Sequence, residues 1–385
     1  MKAKRVLLVT GTRAEYGLLA PLMARLRRDR AFRPAFLVTG AHLDRRQGLT
    51  VKEIEADGHP IAARVPLRQR GDDAAGVTGA MAEGVRGFSR AYARLKPALI
   101  VVLGDRFEIL AAAAAALPHR IPVAHLHGGE SSEGAWDESI RHAVTKLSHV
   151  HFPSHAEYAR RLRLMGEDPR RVFVVGATAE DRVRSLPRLG RGELSRSLRL
   201  ALGRPLIAAT YHPATLSADR GLSECRAMIA ALARRGGTVV FTAPNADAGG
   251  AAVRKEIEAF VRRHPVTSKL FDSLGQTRYY SLLAQADVMI GNSSSGPLEA
   301  PYFALPVVNL GARQLGRRRD PGLIDVPRPD AASVSRALAK ALSPAFRRGL
   351  KARAAAGSPS ARIVAALKKL EWGDALLIKR FHETQ

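Results

Sequence analysis

Residues 99–146 of the 385-residue chain concentrate side chains that exchange protons. Asp105, Arg106 and Glu108 follow the apolar run 98–103, where a strand would hand over to a helix. A second apolar run, 121–124, ends in His125-Leu126-His127-Gly128-Gly129-Glu130, and Asp137-Glu138-Ser139-Ile140-Arg141-His142 comes next. Carboxylates and imidazoles at successive strand ends are the groups that general acid–base catalysis uses. A metal bound by His125, His127, His142, His149 and His151 is the competing reading. Their spacing lacks paired ligands on one helix face, so no metal is expected. The second half offers different chemistry. Gly291-Asn292-Ser293-Ser294-Ser295-Gly296-Pro297-Leu298-Glu299 puts small hydroxyl residues after an apolar strand, with Pro near a helix start. Such a turn presents amides and hydroxyls to a phosphate, and Glu299 could accept from a ribose diol. An ordinary serine-capped helix is the alternative. Gly11-Thr12-Arg13 is another candidate anion seat, with Arg13 as the phosphate fork, and reads equally well as a tight turn with a surface arginine. His212 ends an apolar run ahead of Pro213 and is either an acid at a sheet edge or a packing histidine.

Strands and helices must alternate to place these groups. Runs 5–10, 36–39, 98–103, 121–124, 150–153 and 172–175 read as strands. Helices fill most of the intervals, one of them the alanine-rich 110–117, since Ala has the highest helix propensity. The polar stretch 60–76 reads as a mobile loop, and the Arg-rich stretch 181–204, broken by Pro and Gly, as an interdomain connection. A second series of strands follows at 206–210, 238–242, 269–271, 288–291 and 306–310. This alternation predicts parallel sheets covered on both faces, with ligands at the carboxyl ends of the strands. The chain is too long for one ordinary core, and no period relates its halves. Two doubly wound domains facing a cleft are expected.

Sixty-one Lys plus Arg against 35 Asp plus Glu give a net charge of +26. A polyanionic partner would explain that balance. The arginines occur throughout, however, with no aromatic-interleaved RNA-binding signature, so solvated basic helix faces are expected and nucleic acid is not. Cys225 is the single cysteine, which excludes an internal disulfide and fits a reducing cytoplasm. The apolar run 6–9 is too short for a signal-peptide core or a membrane span.

The texts GTRAEYG, LGDRFE, HLHGGE, WDESIRHAVTKLSH, YHPAT, PNADAGG, IGNSSSGPLEA and PVVNLGARQ occur in order across roughly residues 5–320. Together they resemble the UDP-N-acetylglucosamine 2-epimerase family, and more closely its hydrolysing branch, which releases UDP and N-acetylmannosamine. The resemblance implies an α/β fold of two Rossmann-like domains facing a cleft, of the glycosyltransferase-B type. Residues 1–180 would carry the catalytic carboxylates, 181–365 would bind UDP, and a C-terminal helix in 366–385 would pack back on the first domain. It implies Asp105 and Asp137 as catalytic carboxylates and His212 as an acid or leaving-group stabiliser. Arg13, Arg106, Asn245, Ser293, Ser294, Glu299 and Arg313 would hold the UDP moiety or the sugar. Many relatives carry a catalytic glutamate in a His-Ile-Glu-Gly-Gly-Glu text; His127 stands there in this chain. That leaves His127 and Glu130 as candidates for the acid or base, and histidine is competent near neutral pH.

The implied reaction eliminates UDP to a 2-acetamidoglucal and adds water back with inversion at carbon 2. It needs neither cofactor nor metal. The resemblance further implies a cytoplasmic homodimer or homotetramer, with a small UDP-sugar as partner, supplying sialic or legionaminic acid. UDP-2,4-diacetamido-2,4,6-trideoxyglucose is an alternative substrate. A non-hydrolysing epimerase is disfavoured by GTRAEYG in place of a GTRPE-like text. A polyanion-binding protein without catalysis is the reading from a different class, and a sugar transferase would need an acceptor site that is not recognisable.

Overall fold

A computed structural model describes residues 3–71, 73–245, 247–355 and 357–383. Ala246 of the PNADAGG text, Asp72 of the polar stretch and the outermost residues of the expected domains lie outside the described residues. By contacts the chain divides into two compact units. One comprises Met1–Glu130, Asp137–Arg184 and Ala356–Gln385; the other comprises Ser131–Trp136 and Ser185–Ala355.

The first unit holds β1 (Lys4–Thr10), β2 (Phe32–Thr39), β3 (Ile61–Val65), β4 (Leu99–Leu103), β5 (Val123–Leu126) and β6 (Val150–Phe152). They pair in the order β3-β2-β1-β4-β5-β6, in parallel throughout. The second unit holds β7 (Leu206–Thr210), β8 (Thr238–Thr242), β9 (Ser268–Phe271), β10 (Val288–Gly291), β11 (Val307–Leu310) and β12 (Leu323–Val326). Their order, β12-β11-β10-β7-β8-β9, is the same topology. Both units are therefore Rossmann-like, each with a switch point where the strand order reverses, β1/β4 and β7/β10. Central strands are apolar without alternation because helices cover both faces: Val6, Leu7, Leu8 and Val9 are all buried.

Gly291 closes the second switch point. It sits at φ +132°, and a Cβ built there would lie 1.8 Å from the Thr210 carbonyl oxygen, so this crossing admits no side chain.

Five segments differ from the sequence reading. Residues 61–65 are an edge strand rather than loop; only Val65 is fully buried, so the run lacks an apolar signature. Leu323–Val326 is likewise a half-exposed edge strand with no reading in the sequence. The run 172–175 makes one bridge, His151 to Val172, instead of a strand. Its neighbour β6 runs into Pro153, which has no N–H to continue the ladder. The connection 181–204 contains two helices, Ala179–Ser185 and Arg191–Leu198; the second is capped by Glu193 accepting from the Gly190 N–H at 2.8 Å and anchored by buried Leu194 and Leu198. Near the C-terminus the helix expected in 366–385 is, beyond Lys369, a single turn, Asp374–Leu377. The longer helix Pro359–Lys369 precedes it and buries Ile363 and Leu367 in the first unit's core.

Candidate active site

In the first unit the loops after β1, β4 and β5 converge at the carboxyl edge. Arg13 opens the helix Arg13–Arg28 after β1. Asp105 and Arg106 follow β4, and Arg106 Nε donates to Glu108 Oε1 at 2.7 Å. Asp137 begins the helix Asp137–Leu147, where the helix dipole favours a charged carboxylate.

Arg141, one turn beyond Asp137 and 1 % exposed, organises the cluster. Its Nη2 pairs with the Asp105 carboxylate, its Nη1 donates to the His127 carbonyl at 3.1 Å, and Nη1 lies 4.0 Å from Glu130 Oε2. Burial alone would lower the guanidinium's pKa, but the charges of Asp105, Glu130 and Asp137 raise it overall. His127 Nε2 accepts from the Thr178 N–H at 3.4 Å and lies 2.9 Å from its hydroxyl. An accepting Nε2 puts the ring proton on Nδ1, which faces Glu130 Oε1 at 2.7 Å. The two groups between which the sequence left the choice therefore form one buried pair, steadied by the Ser154 hydroxyl donating to Glu130 at 2.7 Å. His125 has another job. Its Nε2 donates to the Gly104 carbonyl at 2.8 Å, and burial pushes its pKa down to about 3, so it stays neutral. His142 pairs with Glu138 at 3.0 Å on a more exposed face of the helix.

Beneath the Gly11 turn lies a second acidic pair. Glu15 Oε2 accepts from the Gly11 N–H at 2.6 Å, and a Cβ on Gly11 would meet Glu108 at 2.7 Å. Burial, then the charge of Glu108, raise Glu15 to about 8, against the pull of Arg106 and the loop amides. A carboxyl raised in the folded state holds its proton while the unfolded chain has lost it. Its contribution to stability is thus complete below the ordinary glutamate range and is lost as pH rises towards 8. Glu15→Gln, which cannot ionise, is expected to gain urea midpoint relative to the parent as pH goes from 5 to 8. A gap independent of pH would refute this protonation state.

In the second unit the loops after β7, β8 and β10 meet around Asn292. The His212 N–H donates to Asn292 Oδ1 at 2.7 Å, and Asn292 Nδ2 donates back to the His212 carbonyl at 2.8 Å. The Asn245 N–H donates to His212 Nδ1 at 3.1 Å, which leaves the ring proton on Nε2 as a donor. Arg313 and Gln314 both reach the Asn292 carbonyl, at 3.5 and 2.9 Å. Ser293 and Ser294 are partly exposed, and the Ser295 N–H is taken by the Ser293 hydroxyl at 3.3 Å. The helix at Pro297 is a single turn, Ser295–Leu298. Glu299 already accepts from the Ser295 and Tyr280 hydroxyls, the latter at 2.7 Å, and each oxygen keeps a lone pair. Burial raises its pKa. Segment Ser131–Trp136 belongs here: the Trp136 N–H donates to Thr215 Oγ1 at 3.2 Å, and Arg317 reaches the Ser132 hydroxyl at 3.3 Å.

Asp105, His127, Glu130 and Asp137 thus gather around Arg141, and His212, Asn245 and Arg313 around Asn292. Neither organising residue is among those assigned a role from sequence. The i, i+4 spacing of Asp137 and Arg141 on one helix face is the signal that would have found Arg141. No local pattern announces Thr178, 51 residues from His127.

The family profile described as UDP-N-acetylglucosamine 2-epimerase matches residues 24–368. A GDP/UDP-N,N'-diacetylbacillosamine 2-epimerase (hydrolyzing) of Campylobacter jejuni is 38% identical over 84% of this chain and 85% of its own. A UDP-N,N'-diacetylbacillosamine 2-epimerase (hydrolyzing) of Legionella pneumophila is 36% identical over 84% and 85%. The fold is shared with a crystal structure of UDP-GlcNAc 2-epimerase from Neisseria meningitidis bound to UDP-GlcNAc, at TM-score 0.76 and 17% identity over 95% of this chain and 100% of that one. With its profile spanning most of the sequence, the chain belongs to the UDP-N-acetylglucosamine 2-epimerase family.

Proposed function

We propose that the chain is a hydrolysing 2-epimerase that converts a UDP-2-acetamido sugar and water to UDP and the free manno-configured sugar. The observation that carries this reading is the buried Asp105–Arg141–Glu130–His127 cluster with Asp137, a set of proton-transfer groups held at a sheet's carboxyl edge. In the proposed sequence the bond from the anomeric carbon to the diphosphate breaks first, and Arg13, Arg313 and the His212 Nε2–H offset the charge developing on UDP. Preorganised donors of this kind are typically worth about 2.7–4 kcal/mol each. A carboxylate of the first unit, or the His127–Glu130 pair, takes the proton from carbon 2 to give the 2-acetamidoglucal. Water then adds to that double bond, its hydroxyl going to the anomeric carbon and a proton to the opposite face of carbon 2. Ser293, Ser294, Asn245 and Glu299 hold the nucleotide.

Two sugars fit this chemistry. The activities of the 38% and 36% identical relatives favour UDP-N,N'-diacetylbacillosamine, the 2,4-diacetamido-trideoxy sugar. The family's own description favours UDP-N-acetylglucosamine. A proton NMR time course in heavy water, with each sugar offered separately, tests both. Free UDP together with a manno sugar deuterated at carbon 2 is the expected result, and the faster substrate identifies the sugar. A UDP-linked epimer without free UDP, or no change with either sugar, would overturn the hydrolysing assignment.

A further inference from the structure

The helix that starts with Asp137 has a far end that the reaction scheme leaves unused. Its eleven residues span about 16 Å, so its last carbonyls lie well away from the carboxylate cluster. Terminal helix carbonyls have no intrahelical partner. Here the Ser148 N–H donates to the Thr145 carbonyl at 3.0 Å, and Lys379, 231 residues beyond Ser148 in sequence, adds a cation: its Nζ donates to the Thr145 carbonyl at 3.1 Å and the Ser148 carbonyl at 2.6 Å. The same ammonium lies 2.5 Å from Glu167 Oε2, a carboxylate only 2 % exposed. Glu167 also takes Lys146 at 2.8 Å and His151 Nε2 at 2.8 Å. Burial alone would raise its pKa, but these three donors bring it down to about 2, so it is ionised under all ordinary conditions.

Lys379 is held there by the tail around it. Arg171 donates to the carbonyls of Ala375, Leu376 and Ile378 at 2.8, 3.1 and 3.0 Å, closing the last turn of the tail. The His382 N–H donates to the Gly166 carbonyl at 2.9 Å, and the Lys146 ammonium lies 5.2 Å from the Phe381 ring centroid. The tail is therefore pinned on both sides of Lys379, and the lysine joins it to one helix end and one buried anion. A cavity of about 440 Å³ adjoins the junction, lined by His149, His151, Glu167 and Lys379 among others.

We propose that Lys379 is a positioning residue for the epimerase reaction: by tying the C-terminal end of the helix Asp137–Leu147 to Glu167 and the tail, it fixes that helix along its axis and so sets Asp137 and Arg141 in the catalytic cluster. The inference rests on the catalytic reading of Asp137. Displacing a rigid helix by a fraction of a turn moves both its reactive end groups together. Substrate grip, which the proposed scheme gives largely to the second unit, is left alone.

The test is Lys379→Ala, assayed by UDP release from the better of the two UDP-sugars, with Asp137→Asn measured beside it. Misplacing catalytic groups from a distance costs roughly 10- to 100-fold in rate, so kcat is expected to drop by that factor with KM and UDP affinity unchanged. Ethylammonium, small enough for the adjoining cavity, is expected to restore kcat saturably, while sodium chloride at the same ionic strength does not. If Lys379→Ala fails to fold, Lys379→Met keeps the stem and gives the same reading, and Lys379→Arg should recover part of the loss. Normal kcat in the Lys379 variants with Asp137→Asn inactive would overturn the inference alone, as would a loss confined to KM or to thermal midpoint. Near-normal turnover in Asp137→Asn would instead withdraw the catalytic reading on which it stands.

Discussion

Asp137→Asn is expected to lower kcat for UDP release by about 10²–10⁴-fold, the usual contribution of a positioned proton-transfer group, with UDP binding unchanged by calorimetry. The asparagine keeps the volume and the place at the helix start but can neither take nor give a proton. Asp137 is buried (4 % exposed) and lies within the electrostatic reach of Arg141, so its neutral replacement leaves an ion-paired cluster rather than an exposed surface. Turnover within a few-fold of the parent would remove Asp137 from the reaction. Asp105→Asn is the harsher change, because Asp105 is also the partner of Arg141.

Arg141→Met should do more damage than any single carboxylate change. Removing one member of a buried ion pair strands its partners, and such losses run to about 3–5 kcal/mol. Here Asp105 loses its ion pair with Arg141, Glu130 keeps His127 and Ser154 but loses a nearby positive charge, and the His127 carbonyl loses a donor. A sharply lower urea midpoint is expected together with lost turnover. The double change Arg141→Met with Asp105→Asn separates the two effects. Stability should recover in part, since one uncompensated charge is gone, while activity should not. Equal stability of the single and double variants would mean that Asp105 and Arg141 do not act as a pair.

How much of this was legible depended on where a residue sits in the sheet. Central strands buried on both faces announce themselves as unbroken apolar runs, and Leu206–Thr210, Thr238–Thr242 and Val288–Gly291 are read to the residue. The half-exposed edge strands Ile61–Val65 and Leu323–Val326 carry no such run, so the first reads as loop and the second gives no strand signal, whereas the buried edge strand Val150–Phe152 does. The chemical types at the site were equally legible, because reactive groups stand just after strand ends. Their partners were not. His127 is steadied by Thr178 and His212 by Asn245 and Asn292, through contacts that no spacing rule encodes. Glu299 shows the same limit: its position suggests a ribose acceptor, while the Ser295 and Tyr280 hydroxyls that hold its two oxygens carry no signal in the sequence.

Gly291 carries a consequence for anyone mapping this enzyme by saturation mutagenesis. It holds no proton, no charge and no hydroxyl, yet with Thr210's carbonyl oxygen 1.8 Å from where a Cβ would stand, every replacement must force β7 and β10 apart. In a growth-based screen Gly291 should rank with Asp137 as intolerant. The two would part only in a screen that scores folded protein separately from product, where Asp137 variants persist as inert protein and Gly291 variants vanish.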